Sequence, residues 1–140
     1  MHQQIEQVRI LELPKASDNR GNLSFIQEGA SLPFPIERVY WIYDVPGGEI
    51  RGGHAFHEQC ELIVAMSGSF DVVVTDGTTE KRYSLNRSYF GLYVPKMIWR
   101  HMENFSTNSL ALVIASTPYQ EEDYIRDYND YLNEVNEHKN

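Results

Sequence analysis

Most of the side chains able to do chemistry crowd into one short run, Arg51-Gly52-Gly53-His54-Ala55-Phe56-His57-Glu58-Gln59-Cys60-Glu61. Imidazole titrates near neutrality, where a general base works best, and imidazole and carboxylate are also the side chains that hold metals. Side chains on a strand alternate between faces. Arg51, Gly53, Ala55 and His57 therefore share one face, and Gly52, His54 and Phe56 share the other. His57 points away from any pocket that His54 enters, unless a bulge re-aims it. Cys60 is the only cysteine of the chain, so neither an intrachain disulfide nor a zinc-site spacing is available.

The elements that must position this run are short strands. From about Ile5 to Thr117, Val, Ile, Tyr and Phe are plentiful and turn residues recur about every eight to twelve positions. Asn22 to Ile26 follows a turn at Asp18-Asn19-Arg20-Gly21. From Ile36 to Asp44, Val39, Trp41 and Tyr43 alternate with Arg38, Tyr40 and Ile42. Leu62, Val64 and Met66 lead to Ser67-Gly68, and Phe70 to Val74 runs into the hairpin signal Asp76-Gly77. Leu92 to Trp99 and Leu110 to Ala115 complete the set. Only the tail changes period: Tyr124, Ile125, Tyr128, Tyr131, Leu132 and Val135 recur at helical spacing. A helix is expected from about Glu121 to Asn136, capped by Asp123 or Thr117 and laying its apolar stripe on the barrel or on a second subunit. The fold class is all-β, a double-sheet jelly roll or related barrel with one C-terminal helix, in one domain spanning residues 1–140.

The chain's formal net charge is −8, from 12 Lys and Arg against 20 Asp and Glu. Without a basic stripe it is a poor partner for nucleic acid, whose affinity comes largely from cations on phosphates. No apolar run reaches membrane-spanning length, and the polar N-terminus lacks the apolar core of a signal peptide. A cytoplasmic location, with no membrane and no nucleic-acid partner, is expected.

The run Arg51 to Glu61, followed by Gly68, resembles the first cupin motif, in which two histidines one residue apart and a glutamate point inward and normally hold a metal. Gly91, Pro95 and Asn104 resemble three residues of the second motif, and its histidine position falls on Arg100. Phe56 stands where the second metal-binding histidine would be, and Arg100, always cationic, stands where the third would be. His54 and Glu61 alone are too few for a tight metal site, so no metal is expected. An inward histidine beside an arginine suits proton transfer instead, with the cation stabilising an oxyanion. Activity is expected to rise with pH through a group near neutrality.

The run Arg51 to Ala55, together with Asp18 to Leu23, Arg38 to Asp44, Gly91 to Pro95 and Asp123 to Arg126, resembles the nucleotide-sugar 3,4-ketoisomerases. These are small WxcM-like cupins that act on TDP-4-keto-6-deoxyglucose, and the resemblance is collinear over nearly the whole chain. It implies a homodimeric jelly roll, free of cofactors, that makes a 3-keto sugar for later transamination, destined for surface polysaccharide. It also implies His54 as the catalytic base; Arg100 or Tyr40 is expected to hold the enediolate's charge, by charge or hydrogen bond. Arg20, Arg51, Tyr93 and Glu61 are implied as substrate-binding residues. A sugar-nucleotide 3,5-epimerase and a non-catalytic sugar-nucleotide-binding cupin are the alternatives.

Overall fold

A computed structural model describes residues 3–139. A short helix α1 (Gln3–Gln7) leads into β1 (Arg9–Glu12), and β2 (Lys15–Asp18) and β3 (Gly21–Ser24) form a hairpin of their own. There follow β4 (Arg38–Tyr43), β5 (Arg51–Phe56), β6 (Glu61–Ser67), β7 (Phe70–Thr75), β8 (Glu80–Leu85), β9 (Phe90–Val94), β10 (Trp99–Glu103) and β11 (Leu110–Ala115). The two-residue strand β12 (Tyr124–Ile125) precedes helix α2 (Tyr128–Lys139). Two antiparallel sheets of five strands, ordered β1-β9-β6-β11-β4 and β12-β5-β10-β7-β8, make the jelly roll.

Their facing sides bury Ile63, Ala65, Val72, Val74, Leu92, Val94, Met102, Ala111 and Val113 in one cluster, with Tyr40 and Ile42 packed against it. The period of two delivers these residues: on β6, Ile63 and Ala65 face inward while Leu62 and Val64 face outward. The outward row joins a second cluster with Leu13, Leu32, Phe34, Tyr93 and Ile114, under the chain that precedes β4. On β4 the same alternation turns Val39, Trp41 and Tyr43 to the exterior, where all three are exposed.

Two expectations from periodicity are corrected. The run Leu92 to Trp99 is two strands, because Pro95 and a left-handed Met97 (φ 61°) turn the chain between β9 and β10. The helix starts at Tyr128, not Glu121, and runs on to Lys139. Asp127 caps it, its carboxylate accepting hydrogen bonds from the Asn129 and Asp130 amides at 2.8 and 3.1 Å. Neither Asp123 nor Thr117 caps it. The Asp123 carboxylate is buried and accepts from the Glu58 and Gln59 amides, and its carbonyl accepts from His57 N. Those bonds draw Tyr124 and Ile125 into an antiparallel pairing with Phe56 and Ala55. The helix covers the outer face of the second sheet, where Tyr131 donates its hydroxyl proton towards the Met97 and Thr75 carbonyls at 2.9 and 3.1 Å.

Candidate active site

Arg100 and His54 stand opposite one another across β10 and β5. On β10, alternation sends Arg100 and Met102 inward and leaves Trp99, His101 and Glu103 half-buried outside. The pairing has a bulge: Met102 lies opposite Arg51, so β5 spends Gly52 and Gly53 where β10 spends only His101. Opposite residues of an antiparallel pair share a face. Arg51 therefore faces the same side as His54, contrary to simple alternation, and sits exposed at the rim. Gly52 takes φ 73°, and a Cβ there would collide with Arg100 Nη1. The bulge and the guanidinium both demand glycine at this position.

The Arg100 side chain is 2% exposed and that of Glu61 1%. Arg100 donates from Nε and Nη2 to the Glu61 carboxylate at 2.9 to 3.0 Å, and from Nη1 to the Gly52 carbonyl at 2.9 Å. Its Nη2 also reaches the Tyr40 hydroxyl at 3.0 Å, which in turn donates to Glu61 at 2.8 Å. Gln59 Nε2 completes the carboxylate's shell at 3.0 Å. Burial works against the Arg100 charge, but Glu61 and Tyr40 outweigh it and its pKa is raised. Burial first, and the Glu61 charge second, push the Tyr40 phenol far up.

His54 is 8% exposed and differs in kind: its Nε2 is buried and has no hydrogen-bond partner. Its ring meets Phe56 and Tyr124 edge to face, at centroid distances of 4.9 and 5.1 Å. Burial, then the charges of Arg100, Arg126 and Arg38, lower its pKa from 6.5 to about 2. The imidazole is therefore already neutral throughout the neutral range.

Residues that spacing did not single out surround His54. Arg38 donates from Nη2 to Gln59 Oε1 at 3.0 Å and to the Tyr124 hydroxyl at 3.5 Å, while its buried Nε is unpartnered. Arg126 lies 4.0 Å above the Tyr124 ring and is bonded to Glu121. The alternation of Arg38 with Tyr40 on β4 was the available signal for Arg38. Nothing local marks Tyr124, which reaches the pocket through pairing with a distant strand.

His57 and His101 lie on the outside, held by Glu134 and Glu103 at 2.9 Å each. Two expected binding residues are not brought to His54. Arg20 is on the exposed β2–β3 turn, paired with Asp18 at 2.7 Å. Tyr93 belongs to the outward row of β9, stacked on Phe34 at 6.1 Å and under Arg9 at 4.9 Å. The donors do not fit a cupin metal. Phe56 has no lone pair, the Glu61 carboxylate is fully engaged, and among the described residues no three His, Cys, Asp or Glu side chains gather.

A cupin-type jelly roll that encloses a neutral imidazole among guanidinium groups has the means to take up and return a proton. Residues 6–136 match the family described as WxcM-like, C-terminal (FdtA), and the chain belongs to it. A 3,4-ketoisomerase from Helicobacter canadensis is 41% identical and superposes with TM-score 0.90, over 93% of this chain and 98% of that one. The TDP-4-oxo-6-deoxy-alpha-D-glucose-3,4-oxoisomerase of Aneurinibacillus thermoaerophilus is 37% identical over 88% of each chain. A histidine-to-asparagine mutant of the ketoisomerase QdtA from Thermoanaerobacterium thermosaccharolyticum, in complex with TDP-4-keto-6-deoxyglucose, is 32% identical with TM-score 0.90, over 93% of this chain and 94% of that one. By these relatives the chain is an isomerase.

Proposed function

We propose that this chain is a TDP-sugar 3,4-ketoisomerase in which neutral His54 moves the proton between neighbouring sugar carbons. The observation that carries the mechanism is the buried, unpartnered Nε2 of His54 beside Arg100, in a family whose relatives are ketoisomerases. A C4 ketone acidifies the C3 hydrogen. His54 takes that proton, the electron pair forms the C3–C4 double bond, and the oxygen at C4 becomes anionic. Returning the proton to C4, as O3 gives up its proton and O4 gains one, leaves the ketone at C3. The field of Arg100, Arg38 and Arg126 favours the anionic intermediate and disfavours protonation of the resting imidazole. A bound pyrophosphate would offset part of that field and raise the basicity of His54 when substrate is present. Arg51, at the rim on the pocket face, is positioned to take a phosphate oxygen. The QdtA mutant, in which a histidine is replaced and the keto sugar is bound, agrees with separable proton transfer and binding.

No step needs a metal or cofactor, and the 3-keto product is the form a transaminase consumes on the way to a deoxyamino sugar for surface polysaccharide. A homodimer belongs to the same proposal, because edge strand β4 exposes Val39, Trp41 and Tyr43 in one row. Light scattering at micromolar concentration should return twice the 16.3 kDa chain, and a mass of one chain would remove the dimer.

The reaction is tested by NMR of the purified protein with TDP-4-keto-6-deoxyglucose in D₂O. A new 3-keto sugar is expected. Deuterium at C5 alone would make the chain a 3,5-epimerase, and an unchanged substrate that still binds would make it a non-catalytic cupin.

A further inference from the structure

Moving a ketone from C4 to C3 transfers a proton between carbons and another between oxygens. His54 accounts for the first. The oxygens need a group that can give a proton at O4 and take one at O3, and Phe56, beside His54, can do neither. Tyr40 is committed: its hydroxyl donates to Glu61 and accepts from Arg100, and burial pushes its ionisation far up. Cys60 lies against the Tyr93 hydroxyl at 3.7 Å, on the opposite side of the first sheet.

We infer that Tyr124 is the oxygen-to-oxygen proton shuttle of this pocket, standing in for the chemistry Phe56 lacks. The inference rests on the ketoisomerase proposal. Register carries it first: Tyr124 is the direct antiparallel partner of Phe56, so the two side chains share the face that carries His54. The rings confirm the placement, with Tyr124 4.6 Å from Phe56 and 5.1 Å from His54 between centroids. The ring is only half-buried. Its hydroxyl makes only a long bond, 3.5 Å from Arg38 Nη2, which leaves it free to exchange partners. Arg38 at the oxygen and Arg126 at 4.0 Å above the ring place two cations where a transient phenolate would form.

The cycle closes without a co-reactant. His54 takes the C3 proton to give the enediolate, and Tyr124 then donates its own proton to O4, leaving a neutral enediol, an imidazolium and a phenolate. The phenolate then takes the O3 proton, the electron pair closes the C3 carbonyl, and C4 takes its proton from the imidazolium. Both side chains end as they began.

The test is Tyr124→Phe, which keeps both ring contacts and removes the hydroxyl. It is followed by NMR with TDP-4-keto-6-deoxyglucose in D₂O and by calorimetric titration with TDP. Formation of the 3-keto product should fall at least roughly 10²-fold, the lower end of an acid–base group's contribution. Deuterium should still enter C3 of the unconverted sugar, because His54 is intact, and TDP affinity should be kept. His54→Asn should lose product and exchange together. Wild-type turnover in Tyr124→Phe would overturn the inference. So would joint loss of product, C3 exchange and TDP binding, which would make Tyr124 a positioning residue. A wild-type protein showing neither product nor C3 exchange would instead bring down the ketoisomerase proposal, and this inference with it.

Discussion

Two neighbouring groups of side chains in one pocket are built on opposite principles. Around Arg100, five hydrogen bonds from the guanidinium run to Glu61, Tyr40 and Gly52, and the carboxylate is shared with Gln59. Around His54 the neighbours are aromatic edges, and a buried ring nitrogen has no partner at all. A buried polar atom left unpaired costs about 1–3 kcal/mol, so it persists only where something other than stability favours it. The saturated group fixes shape and field, and the unsaturated one is left for a ligand. The Arg100 charge is already compensated by Glu61.

The largest effect should come from breaking the saturated group. Glu61→Gln keeps the side chain's size but strands a fully buried guanidinium, and should cost about 3–5 kcal/mol of stability in urea unfolding. Arg100→Met with Glu61→Leu removes both charges and should recover most of that loss. Equal stability of Glu61→Gln and wild type would mean that the pair is solvated and the contrast between the two groups is false.

The second effect belongs to the unsaturated group. His54→Asn removes basicity and little volume, so folding and TDP affinity should persist while turnover falls at least roughly 10²-fold. If His57→Asn abolished turnover instead, the outward placement of His57 against Glu134 would be wrong.

Acid separates the two groups more gently. The folded protein keeps His54 neutral down to about pH 2, whereas the unfolded imidazole takes a proton near 6.5. Between those values the unfolded state holds more protons, so this contribution is complete above 6.5 and is lost as the pH falls. Between about pH 7.5 and 5.5 the loss should be about 1.4 kcal/mol. His54→Asn has no such proton to bind, so its urea midpoint should move less over that interval than the wild type's. Identical acid sensitivity in the two would show that His54 is not held neutral by the fold.

How much of this was legible in the sequence follows from how local each feature is. Period-two patterning places His54 and Phe56 on one face, and the structure has them there. The side of Arg51 was not legible from period alone, because a bulge resets it; the consecutive Gly52 and Gly53 were the signal. The tail misled because Tyr124 and Ile125 continue the helical spacing of Tyr128 and Tyr131. What overrides that spacing is the tie from Asp123 to the Glu58 and Gln59 amides, a contact between segments more than sixty residues apart. Periodicity within a segment holds no information about such a tie, and Tyr124 therefore emerges at the pocket only when the strands are assembled.

The smallest expected effect tests whether the pocket ends where the first sheet ends. Tyr93 precedes Val94, which pairs with Glu61, and Tyr93 itself pairs with Leu62. Alternation then puts Val94 and Glu61 inside and Tyr93 outside, where its ring packs on Phe34 and Arg9 and its hydroxyl reaches only the Cys60 sulfur at 3.7 Å. Tyr93→Phe keeps the ring and removes one weak bond, so stability should change by about 0.5 kcal/mol or less. Turnover and KM for the TDP-sugar should stay at wild-type values, since nothing on the inner face is touched. A large rise in KM with kcat unchanged would show that substrate reaches around the sheet to Tyr93. The binding surface would then include the outer cluster, as the family resemblance implies, and the inner pocket would hold only the sugar.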